Sequence, residues 1–450
     1  VIGFAVSPHG CVQDILSTLV TMKSETLIND GLNARVCIVI GGIPPAFSGA
    51  GLCAYRYARR LHKTGRLAFV VAERPTEDAT LQGPLCAEDG NLPGRVFRLP
   101  KRRFKKRYRA QRMARHKLAS LYQAIYLWLS TFYLLLRKRN EYDIMFGFES
   151  GSQLPLFATL TSRILGKKAI LRISLLGTDD PMTLLEDRHH LRHWLRIKAF
   201  FAANGYISIS SPITESCLKA GIPPHMVWEI PNPVDVRLFA PCGEEERRML
   251  RRELGISDET FTTVFVGGII WRKGIDLLID AFAQLYRICD DAQLLIIGPR
   301  LAGGKDENYF MDGLDKRISM LGLSKKLKFI GFVSNVHLYM KACDVFVFPS
   351  RAEGCANVLV EAMASGLPVI TCHMAGLAQY LITNEVDGLI VDYTPEAIAE
   401  AVERLYNAPD IRKKISANAF RTARSRFATD IVDSRYDRVY KAVLEAPKVR

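Results

Sequence analysis

Residues 345–370 constrain the fold more than any other part of the chain. They open with Val345-Phe346-Val347-Phe348, an unbroken apolar run that reads as a strand buried on both faces, the pattern of a parallel sheet. Pro349 ends that strand, and a loop with Glu353 beside Gly354 follows. A short helix is predicted from Asn357, a good N-cap residue, to a stop at Gly366, and 367–371 reads as the next strand. A carboxylate therefore stands at the C-terminal end of a parallel strand, beside a helix start. Ligands of open α/β sheets bind at that place, and the free N–H groups of a helix start suit a phosphate.

The rest of the chain repeats this grammar. With 450 residues, 48% of them hydrophobic, two domains are expected. Val36-Cys37-Ile38-Val39-Ile40 is a buried strand that runs into a glycine-rich loop, 41–51, and then a helix from about Leu52 to Thr64. This is the first βα unit of a Rossmann-like domain, but it lacks the dinucleotide fingerprint, so the loop is either a plain connection or a backbone cradle facing a cleft. Further strands are read at 67–72, 142–147, 168–174, 205–211 and 227–231, and the charged stretch 240–258 is read as the interdomain linker.

A second series begins with the strand 261–267 and the loop Gly267-Gly268-Ile269-Ile270-Trp271-Arg272-Lys273-Gly274. Two cations at a strand-to-helix turn can pair with a diphosphate. Asp179 and Asp180 follow the strand at 168–174, but adjacent acids point apart, so a helix N-cap before Pro181 is favoured over a metal site. His189, His190 and His193 read as surface residues. The ten Cys are dispersed, which fits small apolar residues in a reducing cytosol. Residues 1–34 show no periodicity and no signal-peptide pattern. They are expected to be disordered, or upstream sequence translated in frame with Met22 as the true start.

The formal net charge is +15, which points to an anionic partner. Seven of the nine residues 101–109 are basic, and an uncharged, aromatic-rich segment, 118–136, follows. A membrane span is rejected, because polar residues dilute it and strands of one sheet lie on both sides. It is either a helix packed on the sheet with a solvated lead-in, or a segment in which 101–117 rests on anionic lipid. No nucleic-acid motif is present, and nucleic acid is not expected as a partner.

Several of these residues together resemble retaining glycosyltransferase family 4, of the GT-B architecture. They are Phe265-Val266-Gly267 with Lys273-Gly274, Ile296-Ile297-Gly298, Phe329-Ile330-Gly331-Phe332, and Glu353-Gly354 through Glu361-Ala362-Met363-Ala364-Ser365-Gly366-Leu367-Pro368-Val369. Asn384-Glu385 with Gly388-Leu389-Ile390-Val391 matches too. Ile230-Pro231-Asn232-Pro233-Val234-Asp235 with Phe239 is similar to the linker-side signature, and Pro44-Pro45 with Gly49 and Gly51 to the first loop. The resemblance implies an α/β fold of two Rossmann-like domains facing across a cleft. The acceptor domain would be 35–240, with the basic and amphipathic segment 101–139, and the nucleotide-sugar domain 241–426. A C-terminal helix, 427–450, would cross back onto the first domain.

By resemblance, Glu353, Lys273 and Arg272 would act in catalysis, with Glu353 touching sugar hydroxyls near the anomeric carbon. Glu361 would bind the ribose, joined on the donor by Gly267, Gly268, Gly331, Phe332, Gly354, Cys355, Ala356, Asn357 and Val358. Gly49, Gly51, Ser174 and Asp179 would lie on the acceptor side. The donor would be a nucleotide-diphospho-sugar used as co-substrate, with no metal and no other cofactor. The acceptor would be a glycan or lipid-linked saccharide, met by a cytoplasmic protein peripheral on the inner face of the membrane. Two positions depart from the family: Gly268 stands where it usually has Arg, and 172–176 lacks its His. A nucleotide-sugar epimerase on the same fold and a non-catalytic sugar-nucleotide-binding protein are the alternative readings.

Overall fold

A computed structural model describes residues 33–447, except 44–48, 74–91, 93, 100–111, 187–190, 290, 301–304 and 325. Residues 1–32, Pro44 and Pro45 of the first-loop resemblance, and His189 and His190 thus lie outside the described residues. The basic segment 101–117 lies outside them as far as 111, and its remainder is described as backbone only.

The apolar runs become two all-parallel sheets. The first contains β1 (Val36–Ile40), β2 (Leu67–Glu73), β3 (Val96–Leu99), β4 (Ile144–Phe148), β5 (Lys168–Ile173), β6 (Gly205–Ser208) and β7 (Val227–Glu229), in the order β3-β2-β1-β4-β5-β6-β7. The second contains β8 (Thr262–Val266), β9 (Gln293–Ile297), β10 (Leu327–Gly331), β11 (Val345–Phe348), β12 (Val369–Cys372) and β13 (Leu389–Val391), in the order β10-β9-β8-β11-β12-β13. Both orders reverse beside their first strand, at β1/β4 and at β8/β11, which is where such sheets open a ligand crevice. Every residue of β1, β4, β8, β9 and β11 is buried, as helices on both faces require.

Helix α1 (Gly49–Lys63) starts earlier than the sequence reading has it. Gly49 and Gly51 form its first turn rather than a loop. Glycine costs little at a helix start, and the amphipathic face through Ala54, Tyr55, Tyr57, Ala58 and Leu61 carries the helix from there. Helix α2 (Arg112–Arg137) buries Leu127, Thr131 and Leu135 and leaves Tyr122, Ile125, Leu129 and Tyr133 exposed. No helix among the described residues is long and apolar enough to cross a membrane. Helix α3 (Gln153–Ile164) packs between α2 and α4 (Leu191–Phe201), on which His193 lies. The second sheet adds α5 (Ile275–Leu285) and α6 (Asn357–Ala364).

Both sheets belong to one compact unit. The chain leaves the first sheet near Val234 and returns near Ala428, and these two crossings run side by side. The Val234 N–H donates to Phe427 O at 2.8 Å, Val234 and Ala428 form a parallel bridge, and Thr429 Oγ1 donates to Val234 O. Helix α7 (Thr429–Glu445) then lies against the first sheet. Its Tyr440 and Tyr436 pack on Phe146 and Tyr57, and the Tyr440 and Tyr57 hydroxyls meet at 2.6 Å. Asp433 takes a bidentate pair from Arg60, and Asp437 pairs with Arg66. The predicted return of the last helix is thus present.

The two halves also touch where their strands end. A Cβ on Gly354, after β11, would fall 1.8 Å from the carbonyl oxygen of Ser174, after β5. Cys355 then inserts into the first half's apolar cluster with Ile173, Ile209 and Ile213. Two stability predictions follow from these contacts. In urea denaturation, Tyr440→Ala is expected to cost about 3–5 kcal/mol, as for other buried aromatics. Tyr440→Phe is expected to cost about 1–3 kcal/mol, because the Tyr57 hydroxyl is left buried without its partner. Gly354→Ala should force the halves apart, read as a larger radius of gyration in small-angle scattering.

Candidate functional site

The loop after β8 is positioned by backbone contacts that only glycine permits. Gly274 has φ +70°, and a Cβ there would lie 2.0 Å from Pro349 O. Gly298, with φ +140°, comes as close to Gly267 O. The ends of β8, β9 and β11 are therefore pressed together, and Gly298 N–H donates to Gly331 O to add β10. The single turn Trp271–Lys273 is clamped from below: Arg351 pairs bidentately with Asp276 and stacks on Trp271 at 4.3 Å.

This clamp aims both loop cations at Glu353. Lys273 Nζ lies 2.5 Å and Arg272 Nη1 3.1 Å from Glu353 Oε1, and Ser350 Oγ donates to the same oxygen at 2.6 Å. Burial pulls the Lys273 pKa below the ordinary lysine value, against the opposing pull of Glu353. The three residues named as catalytic are thus in mutual contact. Gly268 is half-buried on this loop, and Gly331, at φ +78°, leads to the exposed ring of Phe332.

Asn357 is not the N-cap of α6. Ala356 takes that place in a left-handed conformation, φ 42°, without a side-chain cap, and Asn357 is the first helical residue. Its amide is committed elsewhere: Oδ1 accepts from Asn232 Nδ2 at 2.5 Å, and Nδ2 reaches Cys53 Sγ at 3.3 Å. The first turn of α6 therefore keeps N–H groups that no side chain caps. Val358 packs on the second core, and Cys355 and Ala356 are buried. Glu361 lies four residues after Asn357, on the same face, and pairs with Arg56 of α1 at 3.3 Å. Neighbouring turns of α1, at Cys53 and Arg56, thus face neighbouring turns of α6.

In the loop after β5, the two acids diverge as expected. Asp180 caps the short helix Pro181–Glu186 through the Thr183 N–H and hydroxyl and also binds Gly177 N–H. Asp179 is buried and accepts the Ser174 and Leu175 amides. Burial pushes its pKa up to about 6 although those amides pull it down. Asp179 therefore fixes the loop, and Ser174 meets Gly354 through its backbone. Among the described residues no cluster of His, Cys, Asp and Glu has the makings of a metal site.

Sequence reasoning missed Arg56, Arg172, Ser350 and the role of Asn232. Arg56 and Arg172 belong to no motif in the sequence. Only the meeting of the two halves gives Arg56 its partner Glu361, and only the fold of the first half brings Asn232 to Arg172.

Residues 246–422 match the family model described as glycosyl transferases group 1. The chain is 32% identical over 204 residues to an uncharacterized glycosyltransferase of Methanocaldococcus jannaschii, covering 45% of this chain and 50% of that protein. It is 28% identical over 189 residues to the capsular polysaccharide biosynthesis glycosyltransferase CapM of Staphylococcus aureus, covering 42% and 48%. The chain thus spans about half the length of these curated relatives. The crystal structure of HepE from Anabaena in complex with UDP superimposes with a TM-score of 0.70 at 20% identity, covering 91% of this chain and all of that one. The chain has the GT-B fold of solved glycosyltransferases, and its second half carries the glycosyl transferases group 1 match.

Proposed function

We propose that the protein is a retaining glycosyltransferase that moves a sugar from a nucleotide-diphospho-sugar to a glycan or lipid-linked acceptor, in cell-surface polysaccharide synthesis. The observation that carries this reading is the convergence of Lys273, Arg272 and Glu353 at the strand ends, next to the uncapped start of α6. The names of the similar proteins support it: one serves capsular polysaccharide biosynthesis, and a structural neighbour was solved with UDP.

The leaving nucleoside diphosphate gains negative charge in the transition state. Lys273, Arg272 and the first N–H groups of α6 stabilise that charge without a metal. Glu353 pairs with both cations and offsets one of their two charges. An arriving diphosphate competes for them, and the released Glu353 turns to sugar hydroxyls near the anomeric carbon. Glu361 takes the ribose hydroxyls once Arg56 yields. The two glutamates stand in a loop and within a helix, so they are not assigned as the acid and nucleophile of a glycosidase. Retention then runs through a front-face, oxocarbenium-like route in which the phosphate accepts the acceptor's proton.

A peripheral position on the cytoplasmic face of a membrane belongs to the same proposal. The exposed residues Tyr122, Ile125, Leu129 and Tyr133 recur at helical spacing on one side of α2. Trp194 and Leu195 of α4 are exposed too, with Lys198 over the Trp194 ring at 4.0 Å. An apolar stripe after a strongly basic lead-in suits anionic lipid.

Transfer is tested with a thermal-shift panel of nucleotide sugars. A bound donor at about 100 times its Kd adds roughly 2.7 kcal/mol of stability, and Lys273→Ala is expected to lower kcat by about 10²–10³. Unchanged glycan synthesis in cells carrying Glu361→Ala and Lys273→Ala would leave a non-catalytic binding protein. Turnover of the donor without acceptor would make it an epimerase. For the membrane arm, flotation with anionic vesicles is expected at low salt, to be lost at high salt or with neutral lipid, and to weaken in Leu129→Ser/Tyr133→Ser. Flotation indifferent to salt and lipid charge would remove that arm.

A further inference from the structure

Arg172 stands on β5 with 2% of its surface exposed. An arginine keeps its charge when buried, and it can only donate. Its bonded partners are neutral: Nη1 donates to Ser174 Oγ at 3.1 Å and Nη2 to Asn232 Oδ1. The Phe148 ring lies 5.0 Å from the guanidinium, and Tyr436 of α7 sits against it. The nearby Asp179 carboxylate is engaged by the Ser174 and Leu175 amides.

These facts fix a direction. Because the guanidinium has no acceptor, Asn232 must turn Oδ1 toward it. Asn232 Nδ2 then faces Asn357, and Asn357 must answer with its own Oδ1, which is the arrangement observed. Asn357 Nδ2 is thereby sent to the opposite side, between α6 and α1, where its partner is Cys53 Sγ at 3.3 Å. A thiol is a weak acceptor. The row guanidinium–amide–amide therefore ends in a strongly polarised N–H pair with a poor partner, on the first residue of α6.

We infer that Arg172 is a positioning residue that acts through Asn232 to aim the Asn357 amide N–H groups at the diphosphate of the donor. The inference rests on the proposed function and assigns a role to the arginine at the position where the family pattern has histidine nearby. The ligand's phosphate oxygen takes the place of Cys53 Sγ. Arg172 itself touches no substrate.

The test is Asn232→Asp. A carboxylate at 232 accepts from Arg172 as the amide does, so the fold keeps its buried contact and gains a charge partner. It has no N–H to give, so Asn357 must reverse its amide and present its carbonyl oxygen to the ligand. UDP, GDP and ADP are titrated calorimetrically into the wild-type protein, and the one that binds is titrated into the variants. The expected result is an unchanged or raised Tm for Asn232→Asp, with affinity reduced about tenfold to a hundredfold, the worth of a hydrogen bond to a charged group. In Asn232→Asp/Asn357→Ala the loss should equal that of Asn357→Ala alone.

Wild-type affinity in a folded Asn232→Asp protein overturns the inference, and so does a loss that adds to that of Asn357→Ala. If Asn232→Asp does not fold, Asn357→Asp carries the test: it keeps the bond from Asn232, faces the ligand with an oxygen and should bind more weakly than Asn357→Ala. Equal binding by these two overturns the inference. A wild-type protein that binds none of the three nucleotides overturns the proposed function, and the inference with it.

Discussion

The structure depends on the place where its two chain crossings meet. The outgoing chain at Val234 and the returning chain at Phe427-Ala428 are hydrogen-bonded to each other. Two connections that ran apart would tie the sheets together at two places. Two that run together define one line about which the halves are arranged. From that line α7 reaches back over the first sheet, and its Asp433, Tyr436 and Tyr440 lock α1 in place. With α1 fixed, Cys53 and Arg56 are delivered to α6. The candidate site between the halves thus inherits its geometry from the contacts that α7 makes with α1.

Much of this was legible in the sequence, for a physical reason. Parallel strands covered on both faces must be continuously apolar, so runs such as 36–40, 262–266 and 345–348 announce themselves. The loops between strand and helix were legible too, because their glycines, cations and acids are of types that few other places in a fold need. What could not be read was the identity of each partner. Gly354 is visible as a motif glycine, yet its cause is the Ser174 carbonyl, 180 residues away in the chain. Asn357 looks like a cap by residue type, and only the presence of Asn232 opposite it diverts its amide. The start of α1 was misplaced because glycines near a helix start read as loop. The basic segment 101–111 lies outside the described residues, so the charge pattern there is still a statement about sequence.

Charge is handled in the same way on both sides of the site. Lys273 and Arg272 converge on Glu353, and Arg56 meets Glu361. Glu353 and Glu361 are mostly buried, and an ionised group out of water needs a partner. Glu353 and Glu361 thus offset two of the three positive charges that Lys273, Arg272 and Arg56 bring together. Arg172 differs, because its charge is met by oriented dipoles. A buried cation held this way sets the direction of every amide downstream of it.

The pairing of Arg56 with Glu361 has a consequence for the end of a reaction cycle. On the proposed reading, a spent nucleotide would leave behind Glu361, whose side chain is only 12% exposed. Departure into an empty site would strand that carboxylate. Here a guanidinium waits one helix away, so expulsion becomes an exchange: ribose leaves as arginine arrives. The step that resets the protein is then governed by a side chain of the opposite half, and turnover is tied to how near that half stands.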